Sequence, residues 1–214
     1  MGPMPRLLWL FCLVNLIVGS GAFVIGGILA PIAQDLQVSI PAAGQAMTAY
    51  ALSTALLAPI ALLATGGWPR KRTLLAALAA FTAGNIVCAL ATTLPLLLAG
   101  RVLMGLGAVF TPVAAGIAVA LVEPQQRGKA LSLVFLGMSL SYAIGVPLGT
   151  WLGLAHGWQV PIWVVIAACG VALAAMARWV PADIRAPGAS FAGLGALLAR
   201  RDVLSVLLLT LLYF

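Results

Sequence analysis

The sequence has little charge, and least of all acid. Only 7% of its 214 residues are charged, and four of them are Asp or Glu. Soluble domains carry about 25% charged residues, so an ordinary solvated surface is excluded. There is one histidine, His156, and there are three cysteines, Cys12, Cys88 and Cys169. Each cysteine lies inside an apolar stretch, where a thiol behaves as a small hydrophobe. Neither a disulfide framework nor a metal site is expected. His156 has no Cys, Asp or Glu near it in sequence, so it reads as a solvated loop histidine. The four acids, Asp35, Glu123, Asp183 and Asp202, all fall between the apolar stretches. No hydroxyl has a histidine base in its neighbourhood, and no glycine-rich phosphate loop with its lysine occurs. Neither an enzyme nor a pump with its own nucleotide site is expected, and no cofactor is implied.

What the chain does have is hydrocarbon. Apolar residues make up 64% of it, more than a soluble fold of this size can bury. A bilayer removes that limit, and a span needs about 20 mostly apolar residues. Six full runs occur, at roughly 7–30, 41–65, 73–92, 95–121, 130–154 and 161–177. Pro31 ends the first, with Asp35 in the loop beyond it. Pro41 opens the second in the position that suits a helix start. The tract Gly66-Gly67-Trp68-Pro69-Arg70-Lys71-Arg72 separates the second from the third. The first run is too long for the core of a cleaved signal peptide and is read as a retained span. Barrel strands are about 10 residues of alternating polarity, which these continuous runs are not. The fold class is therefore all-α and membrane-spanning.

Charge orients the spans. Arg6, Arg70, Lys71, Arg72, Arg127, Lys129, Arg178, Arg185, Arg200 and Arg201 fall on one side if each run crosses once. The loops near residues 35, 93 and 157 carry no Lys or Arg. Cytoplasmic loops hold the excess of basic residues, which puts these ten and the N-terminus inside the cell. The net charge of +7 thus reads as topology, not as a nucleic-acid surface. The expected domains are a six-helix bundle over 1–177, a cytoplasmic linker over 178–202 and the start of a truncated seventh helix over 203–214. Within the linker, Phe191, Leu194, Leu197 and Leu198 have helical spacing. They fit either a short surface helix or a tethered loop.

Few residues in the runs carry chemistry. Arg101 lies about six residues into the fourth run, where a charge is costly unless it faces protein or water. It either lines a polar path or snorkels to the interface. Gly137, Ser141, Gly145, Gly149 and Gly153 recur every four residues, a stripe that lets another helix approach closely. Pro147 removes one backbone hydrogen bond there and can bend the helix. Asn15, Gln45, Thr48, Tyr50, Asn85, Thr111, Ser139 and Tyr142 either line a cavity or bond neighbouring helices. Of these, Asn15, Tyr50, Asn85 and Tyr142 are the cavity candidates. No carboxylate lies in the runs, so no proton carrier is visible.

Arg101-Val-Leu-Met-Gly105-Leu-Gly107 resembles the fourth-helix motif of major facilitator transporters. Ala143-Ile-Gly145-Val-Pro147-Leu-Gly149-Thr-Trp-Leu-Gly153, running into Gly157-Trp158, resembles their fifth-helix antiporter motif. Glu123-Pro124-Gln125-Gln126-Arg127-Gly128-Lys129-Ala130 resembles the loop between those helices. Pro31-Ile-Ala-Gln-Asp35-Leu, with Ala43-Gly44 and Tyr50-Ala51-Leu52, resembles the first two helices of the 12-span drug:proton antiporters. The chain departs from that pattern at Gly66 and Pro69, where relatives have aspartate and glycine. Only Arg70, Lys71 and Leu74 of that loop still match. A further departure is Ala22, near a first-helix acid of some relatives.

The resemblance implies the N-terminal half of such a transporter, in the inner membrane, with a second six-helix half facing it. It implies a small-molecule substrate between the halves, drug efflux driven by the proton gradient, and alternating access. Arg101, Gly105, Gly145, Pro147, Gly149, Arg70 and Lys71 are the transport and gating residues it points to. A metabolite transporter of the same fold, for sugars or nucleosides, and a half-transporter that moves nothing are the alternatives.

Overall fold

Lipid offers the backbone no hydrogen-bond partner, so the apolar runs satisfy themselves as helices. The computed structural model describes residues 6–182, 184, 202, 203 and 205. Among these residues every regular element is helical. Those long and apolar enough to cross a membrane are α1 (Arg6–Gly27), α2 (Ile40–Ala64), α3 (Arg70–Ala89), α4 (Leu94–Ala120), α5 (Pro124–His156) and α6 (Gln159–Trp179). The linker and the seventh run fall almost wholly outside the described residues.

Several boundaries correct the sequence reading. The chain does not leave helical structure at Pro31. After a break, a short helix runs over Leu29–Asp35, with Pro31 in its first turn, where a missing N–H costs little. Asp35 therefore ends a helix. Arg70, Lys71 and Arg72 form the first turn of α3 rather than a loop, and helical structure resumes at Pro124, before the run expected from residue 130. His156 closes α5, and only Gly157 and Trp158 separate it from α6. Gly157 turns the chain with φ of 103°, a conformation glycine adopts without a Cβ penalty.

Internal prolines account for where the spans lose α geometry. A proline ring collides with the carbonyl four residues earlier and cannot bond to it. The 3₁₀ segment Val24–Gly27 contains the residue four before Pro31. The 3₁₀ segment Gly107–Val109 contains the residue four before Pro112. The π segment Ser141–Gly145 contains the residue four before Pro147, so the expected disturbance at Pro147 takes the form of a widened turn. Pro59 is the exception, because α2 stays α-helical around it.

The stripe of small residues on α5 packs along α1, and α1 answers with its own four-residue repeat. A Cβ on Gly137 would strike the carbonyl oxygen of Cys12, one on Gly145 the Ser20 hydroxyl, one on Gly149 Val24, and one on Gly153 Ile28. The two helices thus meet along matched i, i+4 rows with backbones nearly touching. At the end opposite the basic residues, Asp35 accepts hydrogen bonds from Trp158 Nε1 at 2.8 Å and Gln159 Nε2 at 3.3 Å. That joins the end of the Leu29–Asp35 helix to the α5–α6 turn.

Three cations open α3, against the sense of its dipole. Each is held by an acceptor or a ring. Arg70 Nη2 donates to the Gly66 carbonyl at 2.6 Å. Lys71 Nζ donates at 2.6 Å to the carbonyl of Ala177, near the C-terminal end of α6. The Arg72 guanidinium lies 4.3 Å from the Trp68 ring centroid.

The α1–α5 contact makes a testable demand. Gly137→Val should cost at least about 2 kcal/mol, because overpacking here meets backbone rather than a movable side chain. Gly116→Val, whose Cβ meets nothing within 4 Å, should be tolerated. Thermal midpoints of the two detergent-solubilised variants check the contrast, and equal midpoints would contradict the packing.

Candidate functional site

Arg101 lies seven residues beyond the start of α4 at Leu94, about 10 Å along the helix axis. It is only 1% exposed, so it does not snorkel to the interface. Its Nε donates to the Ala46 carbonyl of α2 at 3.1 Å. Nη1 donates to the Gly21 carbonyl at 3.3 Å and to Met104 Sδ at 3.6 Å, and Nη2 to the Ala22 carbonyl at 2.6 Å. No carboxylate among the described residues pairs with it. A buried charge without partners is prohibitively costly, and here the partners are the dipoles of two neighbouring helices. Gly21 and Ala22 come just before the 3₁₀ segment of α1. A change from i−4 to i−3 pairing leaves a helical carbonyl without its usual donor, and the guanidinium supplies donors at that point.

One face of the guanidinium lies 4.7 Å from the Tyr50 ring centroid, a cation–π distance. Tyr50 meets Phe23 edge to face, with centroids 6.5 Å apart. Phe23 stacks on Tyr142 at 4.7 Å with planes 28° apart. The result is a continuous row, Arg101–Tyr50–Phe23–Tyr142, contributed by α4, α2, α1 and α5. Burial falls along it, from the enclosed arginine to Tyr142, which is 54% exposed. Tyr50 and Tyr142 are among the cavity candidates the sequence offers, though nothing in it joins them to Arg101. Phe23 is not among them, because a phenylalanine in an apolar run looks like any other. Its position beside the 3₁₀ break is the one signal that could have marked it.

The other candidates separate from this row. Asn15 is fully buried. Its Nδ2 donates to the Val134 carbonyl of α5 at 3.0 Å, and its Oδ1 accepts from Thr111 Oγ1 of α4 at 2.6 Å. Asn85 is buried and donates to the Phe81 carbonyl of its own helix at 2.9 Å. Both are buried within this half, so of the two roles open from the sequence Asn15 takes the one of bonding neighbouring helices, and Asn85 bonds within its own. Gly105 serves the α4–α2 contact, where an added Cβ would lie 2.5 Å from Ser53 Cβ. Ser53 Oγ itself donates to the Val102 carbonyl at 2.6 Å. Gly145 and Gly149 serve the α1–α5 contact, with Pro147 exposed on the other side. Arg70 and Lys71 lie at the basic end of the bundle. Among the described residues, no group of three or more metal-ligating side chains comes together.

Six apolar helices around a buried arginine, with its charge answered by backbone dipoles, define a multi-pass membrane protein. The family profile of the Major Facilitator Superfamily matches residues 11–214. The chain is 34% identical over 212 residues to the chloramphenicol resistance protein of Streptomyces lividans, covering 96% of this chain and 54% of that protein. It is 37% identical over 151 residues to a chloramphenicol efflux pump of Mycobacterium tuberculosis, covering 70% of this chain and 37% of the pump. Among solved structures it resembles the peptide transporter POT bound to alafosfalin, with a TM-score of 0.68 at 17% identity, over 98% of this chain and 46% of that one. It also resembles the xylose transporter XylE of E. coli, with a TM-score of 0.60 at 18% identity, over 82% and 49%. The chain belongs to the major facilitator superfamily, whose members are membrane transporters rather than enzymes. It spans about half the length of the relatives it matches, or somewhat less.

If Asn15 is a helix tie, Asn15→Val should lower the thermal midpoint by an amount equivalent to about 1 kcal/mol and leave the substrate KM of the gene's full product unchanged. Parallel melting and transport assays check this. A changed KM with an unchanged midpoint would return Asn15 to the cavity.

Proposed function

We propose that this chain forms one half of a proton-coupled exporter of small, drug-like molecules that works by alternating access. The arginine row carries this reading. A permanently charged side chain inside the membrane part of the fold is joined through Tyr50 and Phe23 to an exposed ring, Tyr142. The relatives named for chloramphenicol resistance and efflux support the direction of transport and the chemical type of cargo.

On this reading, α2 and α5, the least buried spans, receive a second six-helix half, and the substrate binds between the halves against Phe23 and Tyr142. Arg101 ties the break in α1 to α2 and α4, so those helices rock as one body. The six spans contain no Asp or Glu, and a proton relay needs a titratable group. The one histidine, His156, closes α5 beside the α5–α6 turn, away from the arginine row, so on this reading the second half supplies the carrier of the proton. Arg70 and Lys71 hold the basic end, with Lys71 joining α3 to α6. That end faces the cytoplasm of a cell whose inner membrane holds the protein, in accord with the excess of basic residues there.

The test uses everted vesicles containing the gene's full product. Respiration should drive uptake of labelled chloramphenicol, and a protonophore should abolish it. Arg101→Ala should cut that uptake by roughly 100-fold, as expected for removing a buried charged tie of about 3 kcal/mol, while the protein still reaches the membrane. Uptake that ignores the protonophore would remove proton coupling, and undiminished uptake by the variant would remove Arg101 from the mechanism. A cysteine at position 67 should react with impermeant thiol reagents only from the cytoplasmic side; labelling from outside would invert the topology.

A further inference from the structure

A lateral groove runs along α1 between α5 and α6. The last two are joined by the two-residue turn at Gly157 and Trp158, and they touch near that turn. A Cβ on Gly153 would lie 3.4 Å from Pro161 of α6. From there they part. The first half of α5 packs on α1 and α4, while α6 packs mainly on α3 and less on α1, with Lys71 of α3 bonded near its far end. The gap leaves one stripe of α1 uncovered, and three cavities lie along it. Near the turn, a cavity of about 290 Å³ is lined by Leu16, Ile17, Val24, Leu148, Val164 and Ala168 among others. Toward the basic end, one of about 550 Å³ lies on the α6 side, between Leu10, Leu13, Trp9 and Trp179, with Arg6 at its mouth. Another of about 550 Å³ lies on the α5 side, between Trp9, Leu133 and Leu136, with Lys129 and Ser132 at its mouth. Trp9 is the wall these two share.

The chemistry of the groove changes along its length. Its floor over the sixteen residues from Trp9 to Val24, about 22 Å of helix, is apolar except for Ser20, whose hydroxyl donates to the Leu16 carbonyl at 2.7 Å. That length suits an extended acyl chain. Its basic end has two exposed cations, Arg6 and Lys129, and neither forms an ion pair among the described residues. The indole N–H groups of Trp9 and Trp179 also lack a partner among the described residues. Indoles of this kind sit at the level of lipid headgroups, where one end is apolar and the other wet.

We propose that this groove binds an anionic diacyl phospholipid. The phosphate sits between Arg6 and Lys129, within reach of the indole donors, and the two chains pass on either side of Trp9. Charge selects the headgroup, because basic pockets at the membrane surface attract anionic lipid. Depth and shape select the chains. A soluble phosphate compound offers the same anion but leaves the hydrocarbon floor empty.

The test titrates the delipidated full product of the gene in detergent. The probes are dioleoyl phosphatidylglycerol, dioleoyl phosphatidylcholine and glycerol phosphate. Melting temperature and lipids retained in native mass spectrometry are read together. Saturating phosphatidylglycerol should raise the midpoint by about 5 °C, the shift for a ligand at some 100 times its Kd. Phosphatidylcholine and glycerol phosphate should each give less than a third of that. Arg6→Gln with Lys129→Gln should abolish the phosphatidylglycerol shift and the retained lipid, and Arg6→Lys should keep both. Both substituted residues are exposed, so the unliganded midpoint should not move. An equal response to phosphatidylcholine would overturn the charge selection. A full response to glycerol phosphate would overturn the role of the groove. A shift that survives the double substitution, or no shift with any probe, would overturn the site itself.

Discussion

Arg101 places a guanidinium inside a bundle of hydrocarbon, and among the described residues backbone carbonyls, a thioether and one aromatic face answer it. That constraint organises the middle of the molecule. The guanidinium can reach carbonyls on α1 and α2 together only if both helices lie close to α4. On the α2 side, Gly105 permits that approach. On the α1 side, the change to 3₁₀ geometry after Phe23 puts carbonyls at the right place. The same change leaves Phe23 between Tyr50 and Tyr142. A cation that must be satisfied and an aromatic row that leads to an open face are therefore one structural unit.

Proline and glycine divide the remaining work. Three internal prolines each coincide with a stretch that is not α-helical, four residues upstream, where the ring would meet a carbonyl. In water such a break could be solvated. In lipid its polar groups must find partners inside the protein, and Arg101 is the partner found for α1. Glycines act by contact rather than by flexibility. Along α5 they let the α1 backbone come close, so that two rows with the same four-residue repeat lock together. Dispersion between closely packed backbones takes the place of a hydrophobic drive that lipid cannot provide.

The ends of the bundle are built differently. At one end a single acid, Asp35, accepts from Trp158 and Gln159 and ties the Leu29–Asp35 helix to the tight α5–α6 turn. At the other end basic residues open α1 and α3 and lie near the start of α5. Some of them are spent on backbone acceptors, as Lys71 is on Ala177. Arg6 and Lys129 flank the mouth of the lateral groove instead. Neither forms an ion pair among the described residues, and the proposed anionic lipid would supply the counter-charge.

Six helices, their approximate limits, the side that carries the positive charge and the family were all legible in the sequence. Each rests on one-dimensional quantities: run length against bilayer thickness, the distribution of Lys and Arg among loops, and short motifs with fixed spacing. Arg101 was legible as an anomaly for the same reason, since a lone charge in an apolar run needs an explanation. Its partners were not legible, because backbone carbonyls are identical in every residue and only proximity selects Gly21, Ala22 and Ala46. Asn15 and Tyr142 looked alike as polar residues in apolar runs, yet packing buried one as a tie between three helices and left the other exposed at the end of the aromatic row. The groove along α1 could not be read at all. It exists because α5 and α6 diverge from their turn, and that divergence is set by what each packs against elsewhere in the bundle.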